Sequence, residues 1–149
     1  MAEKKVQMTQ EQLFSAFAGE NQRLEDLNQR INMLIMGLNE ITMALLSMDA
    51  IKKEKDKIMV PLGAGIFLQA QTEDNENVVF ALAGEVMKTK KLEEAKQEIE
   101  KRKESLEKLL ENTKREHHRT ATNVNTLTEV IRKGQEFIQQ QRMGTIKGL

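Results

Sequence analysis

The chain has 149 residues, 31% of them charged and 3% aromatic, with no Cys, Trp or Tyr. A compact globule of this length buries several aromatic rings, so the composition excludes an aromatic-rich core and points to a thin, mainly helical molecule. The 23 basic and 23 acidic residues cancel, which argues against a dedicated nucleic-acid binder and against a polybasic membrane anchor.

The first element opens at Thr9, with Gln12 three residues on, the spelling of a capping box. Apolar residues follow at Leu13, Phe17, Leu24, Leu27, Ile31, Leu34, Leu38, Ile41, Leu45 and Met48. Their spacing alternates three and four, the seam of a supercoiled helix over about 9–54. Met33, Met36 and Met43 fall off this seam and predict a second helix or a cavity beside it. The charges of Ile51 to Lys57 end the pattern.

An insert over about 55–88 follows. Ile58, Val60 and Leu62 alternate as a strand with one buried face, and Pro61 makes it an edge or an irregular strand. Gly63 and Gly65 bracket Ala64 as a tight turn, and Ile66, Leu68 and Ala70 alternate against Phe67, Gln69 and Gln71. The polar run Glu73 to Asn77 is the next turn. Val78, Phe80 and Leu82 alternate again, Gly84 breaks that run, and Val86 and Met87 begin a last short strand before Thr89. The insert thus predicts two hairpins. Such hairpins are marginal alone in water, so they require a partner sheet, most simply from another subunit. Ile58, Val60, Leu62, Ile66, Phe67, Leu68, Val78, Phe80, Leu82 and Val86 are the expected oligomerisation residues.

The last element opens at Thr89, with Glu93 and Glu94 in its first turns, and runs over about 89–143 to a stop at Gly144. One heptad register holds Leu92, Ile99, Leu106, Leu110, Val124, Leu127, Ile131 and Ile138, with Thr113, His117 and Thr120 in its middle. Two seams of similar length joined by a short insert should zip together antiparallel. The expected fold is a single mainly α domain, a two-helix coiled coil with two small β-hairpins between the helices. A tail, 144–149, closes it.

No window reads as roughly 20 uncharged apolar residues, so no membrane partner is expected. The first ten residues lack the apolar core of a signal peptide, and the absence of Cys fits a reducing, cytoplasmic setting. No catalytic constellation is present, so the chain reads as no enzyme, with no cofactor and no metal. His117 and His118 are adjacent on a helix and point apart, a poor metal pair. Gly63 and Gly65 lie too far from a helix start to cradle phosphate.

Met8, Leu13, Phe14, Phe17, Phe137, Ile138 and Met143 gather near the helix ends, where two helices are thinnest. Two readings compete. One is a frayed terminus with incidental hydrophobes; the other is an exposed apolar tip that grips other chains. Leu13, Phe17 and Ile138 fit the seam, whereas Phe14 and Phe137 fall beside it.

At VPLGAGIF (Val60 to Phe67), at the alternating strand Asn77 to Gly84 and at KKLEEAKQEIEKR (Lys90 to Arg102), the chain resembles prefoldin, an alpha-class subunit of archaeal type. The layout covers nearly the whole chain, but only VPLGAG is a specific motif. The resemblance implies an ATP-independent holdase chaperone that binds unfolded proteins at coiled-coil tips. It implies beta-class subunits and a second alpha-class copy as assembly partners, and delivery of clients to a group II chaperonin. The rival reading is a structural coiled-coil protein, either a tether or a filament-forming paralogue.

Overall fold

A computed structural model describes residues 8–53, 57–81 and 86–146. The element order is α1 (Gln10–Lys53), β1 (Ile58–Gly63), β2 (Ile66–Ala70), β3 (Asn77–Ala81), β4 (Met87–Lys91) and α2 (Leu92–Ile146). Two long helices with two small antiparallel hairpins between them is the architecture that the periodicities require.

The start of α1 is a reciprocal cap. The Thr9 amide donates to Gln12 Oε1 at 2.9 Å and the Gln12 amide donates to Thr9 Oγ1 at 3.3 Å. Two of the helix's orphan donors are thereby satisfied.

The chain divides into two compact units, and both helices run through both of them. In the unit built from Met33–Leu110, the C-terminal half of α1 pairs antiparallel with the first half of α2. Lys96 Nζ meets Asp49 Oδ1 at 2.8 Å and Lys52 Nζ meets Glu93 Oε2 at 3.0 Å. Leu34 and Leu92 are buried, and Ala95 is fully buried. Leu38, Ile41, Leu45, Met48, Ile99, Leu106 and Leu110 are half-buried, as one stripe per helix predicts. In the other unit, residues 1–32 with 111–149, the helices again pair antiparallel. Arg23 bonds Glu116, and Asn123 Nδ2 donates to Glu20 Oε2 at 3.3 Å. Leu27, Thr113 and Thr120 are its buried side chains. No buried side-chain nitrogen or oxygen among the described residues lacks a hydrogen-bond partner, so the seam threonines carry no unmet polar cost.

The hairpins form separate two-stranded sheets. In the first, Ile58 opposes Ala70, Val60 opposes Leu68 and Pro61 opposes Phe67, with a register shift between Pro61 and Gly63. A bulge at that point fits a strand interrupted by proline. The two-residue turn Ala64-Gly65 has φ of 50° and 80°, and Gly63 has φ of 105°. Positive φ at both central residues is the type I′ geometry that matches strand twist, and it places Ala64, a residue with a Cβ, in the left-handed region. In the second hairpin, Asn77 to Ala81 pair with Lys91 to Met87.

Four sequence expectations change. The last helix begins at Leu92, not Thr89. Thr89 pairs with Val79, because the lysine-rich strand Met87–Lys91 completes the β3 ladder before the helix can start. The Leu92 amide then donates to the Glu76 carbonyl at 2.7 Å, satisfying a helix donor from the sheet side. Gly144 does not stop α2, which continues to Ile146; an interior glycine costs a helix only about 1 kcal/mol. Thirdly, α1 contains an 18-residue window of mean hydropathy 1.4, long and apolar enough by length and composition to cross a membrane. The polar residues between Arg30 and Asp49 are Asn, Thr and Ser, and Glu40 is the sole charge there. Finally, Ile138 leaves the seam, as described below. Leu82 and Gly84 lie outside the described residues.

Candidate interaction surfaces

The first hairpin is largely apolar, and among the described residues nothing covers most of it. Its opposed pairs put Ile58, Val60, Leu68 and Ala70 on one face, and Met59, Pro61, Phe67 and Gln69 on the other. Ile58 and Val60 are half-buried. Leu62, Ile66, Phe67 and Leu68 are exposed, Phe67 to 56%. Phe67 and Leu68 lie on opposite faces, so large apolar side chains stand open on both sides of this small hairpin, as at an interaction site.

The second hairpin behaves differently. Phe80 is only 8% exposed. The Lys90 ammonium stands 4.6 Å from the Phe80 ring centroid and the Arg102 guanidinium of α2 stands 5.1 Å from it. Glu98 ties both cations together, bonding Lys90 and receiving Arg102 Nη2 at 3.2 Å. The Lys90 hydrogen bond holds the Glu98 carboxyl below the usual carboxylate range. Phe80 therefore anchors its hairpin to α2 within the same chain, and an assembly role for it is not what this geometry provides. Val78 is half-buried, and Val86 stands exposed. The second hairpin's entry turn is held by Asp74, which accepts from the amides of Glu76 at 2.8 Å and Asn77 at 3.1 Å and from Asn77 Nδ2 at 2.8 Å. The Asn77 side chain, then the two amides, lower the Asp74 pKa.

At the other end of the helices, a groove of about 250 Å³ is lined by Met8, Leu13, Phe14, Val130, Ile131 and Ile138, among others. Leu13 and Phe17 are half-buried on the seam, and Phe14 and Phe137 are exposed. Ile138 is 44% exposed instead of seam-buried. The groove brings α1's first turn beside Val130, Ile131, Gly134, Gln135 and Ile138. Phe137 and Met143 also stand open to water. The structure thus gathers Met8, Leu13, Phe14 and Ile138 round one groove, leaves Phe17 inside the seam, and places Phe137 and Met143 outside the groove lining.

His117 is half-buried on the seam and His118 is exposed. Among the described residues no group of three His, Cys, Asp or Glu is placed to hold a metal ion. Sequence reasoning missed Ala95, which is fully buried at the hairpin end of α2. A small residue at helical spacing from Leu92 was the only available signal.

The chain matches the family described as Prefoldin subunit over residues 20–137. It is 30% identical over 98 residues to prefoldin subunit alpha of Methanococcus maripaludis strain S2, covering 66% of this chain and 67% of that protein. It is 26% identical over 126 residues to prefoldin subunit alpha of Thermofilum pendens, covering 83% of this chain and 98% of that protein. Among solved structures, it is similar to a filamentous PFD from Methanocaldococcus jannaschii, with a TM-score of 0.63 and 18% identity, over 77% of this chain and 97% of that one. At that identity the likeness is one of fold.

Proposed function

The chain belongs to the prefoldin family of chaperone subunits and groups with its archaeal alpha subunits, and we propose that it acts as an ATP-independent holdase that grips unfolded proteins at the helix tip. The observation that carries this reading is the groove where Met8, Leu13, Phe14 and Ile138 meet, with Phe137 and Met143 exposed nearby. Exposed apolar groups lower solubility, and retaining several at one end fits a surface for the apolar segments of non-native chains. Each contact is weak alone. Several tips in one oligomer raise the avidity by effective concentration.

Assembly in this reading rests on the first hairpin, through Leu62, Ile66, Phe67 and Leu68, together with Ile58 and Val60. Its partners are a second alpha-class copy and beta-class subunits, and the held client passes to a group II chaperonin. No chemistry on the client is needed, so the subunit works as a binding protein and not as an enzyme, in the reducing cytoplasm.

A second assembly reading is an open filament, favoured by the fold likeness to a filamentous PFD. Native mass measurement of the chain alone and with a beta-class subunit separates the two. A closed mixed hexamer supports the holdase; a polydisperse ladder supports the filament. The functional test is the triple change Phe14→Ser, Phe137→Ser and Ile138→Ser in the mixed complex. Native mass should be unchanged, and suppression of aggregation of a denatured client should fall several-fold. Full protection by the variant complex would remove the tip from the mechanism.

A further inference from the structure

Between Arg30 and Asp49, α1 is apolar on more than one side. Leu34, Leu38, Ile41, Leu45 and Met48 form the seam toward α2. Met33, Met36, Met43 and Leu46 lie roughly 100–180° round the helix from that seam, at about 100° per residue. They are 65%, 64%, 63% and 59% exposed. A helix that is apolar all round normally has something on each side. Among the described residues nothing in this chain covers the outer side.

Three observations narrow the occupant. The exposed stripe, with Ile35 at its margin, presents on the order of 500 Å² of apolar surface, the size of a patch that marks an interaction site. That area suits a short segment held briefly. The second observation is charge. Glu40 lies between Met36 and Met43, about one turn from each, and takes part in none of the ion pairs among the described residues. A second copy laid antiparallel on the stripe would set Met36 against Met43 and bring Glu40 beside the copy's Glu40. Like charges brought together in an apolar contact oppose that pairing. A segment carrying a lysine or arginine meets the carboxylate favourably. The third is side-chain type. Methionine is unbranched, polarizable and adaptable, which suits a surface that accepts many shapes.

We propose that the outer face of α1 at Met33, Met36, Glu40, Met43 and Leu46 is a second contact for non-native polypeptide, selecting short apolar segments that bear a basic residue. It rests on the holdase reading and adds a site away from the tip, with a charge preference that the tip does not require.

The test uses the assembled complex carrying Phe14→Ser and Phe137→Ser, so that tip binding is weakened throughout. A fluorescent leucine-rich peptide with one central lysine is titrated by anisotropy, alongside its twin with glutamate in place of lysine. The expected results are a several-fold preference for the lysine peptide and its loss on Glu40→Gln. Met33→Gln, Met36→Gln and Met43→Gln together should weaken lysine-peptide binding at least about fivefold, as lost apolar burial predicts, with helicity and native mass unchanged. Undiminished binding by the methionine variant, or equal affinity for the two peptides, overturns the proposal. A changed native mass also overturns it, because the face would then belong to a subunit contact. If the unsubstituted complex protects no denatured client at all, the holdase reading has failed; if it protects clients but the outer-face changes alter nothing, only this proposal has.

Discussion

The Lys90 ammonium lies 4.6 Å from the centroid of the Phe80 ring, on the same face of the second hairpin. Lys90 opposes Val78, so it stands diagonal to Phe80 across the strand pair, within reach of a long side chain. This contact, with Arg102 on the ring and Glu98 bonding both cations, turns the second hairpin inward onto α2. Among the described residues, the first hairpin has no comparable anchor at Phe67.

The two phenylalanines should therefore fail differently. Phe67→Asp should release smaller species by native mass spectrometry while the helical circular dichroism signal persists. Phe80→Ala should lower thermal stability, at a cost of about 3–5 kcal/mol if the site is well packed, and should speed amide exchange in Asn77–Ala81. Equal effects of both changes on mass and melting would refute this division.

Ala64 offers a test of the turn. A residue with a Cβ at φ of 50° carries about 1 kcal/mol of strain, and Asn tolerates that region better. Ala64→Asn should slow amide exchange across β1 and β2, and Ala64→Val should accelerate it. The opposite order would show that the turn is not type I′ in solution.

Acid should loosen the second hairpin before it melts the helices. Asp74 and Glu98 both have folded pKa values below their unfolded ones, through Asn77 and Lys90 respectively. The unfolded state binds more protons, so their stabilisation is fully present above about pH 4 and is lost as pH falls through the folded values. The Glu76 and Asn77 amides should shift and exchange faster in that window by NMR. In Asp74→Ala the acid-dependent change at these two amides should vanish; its persistence would move the cause elsewhere.

The buried Thr113 and Thr120 replace larger aliphatic knobs on the seam. Changing Thr120 to Leu should raise the melting temperature, since added buried methylenes contribute about 0.8 kcal/mol each where space allows. Amide exchange should slow locally, between Arg23 and Leu27 and near Thr120. A lowered melting temperature would mean the seam there is closed to larger side chains.

Helix and hairpin identities were legible because each rests on local periodicity. The 3–4 spacing from Leu13 to Met48 has no other efficient burial, and every residue it selects in α1 is buried or half-buried. Alternation and the paired glycines likewise specify the hairpin from Ile58 to Ala70 by short-range sterics. What needed the tertiary structure were relations between distant residues. Thr89 looks like a helix cap until β3 claims its backbone as a ladder partner. Phe80 and Phe67 are the phenylalanines of the two alternating runs, and the approach of Arg102 and Glu98 from α2 accompanies the burial of Phe80, while Phe67 stands open. Ile138 obeys the heptad rule, yet it is 44% exposed and lines the groove with Met8, Leu13 and Phe14. Periodicity determines which side of an element is apolar; where two elements meet, and how far each runs beside the other, determines which apolar side chains remain available to bind.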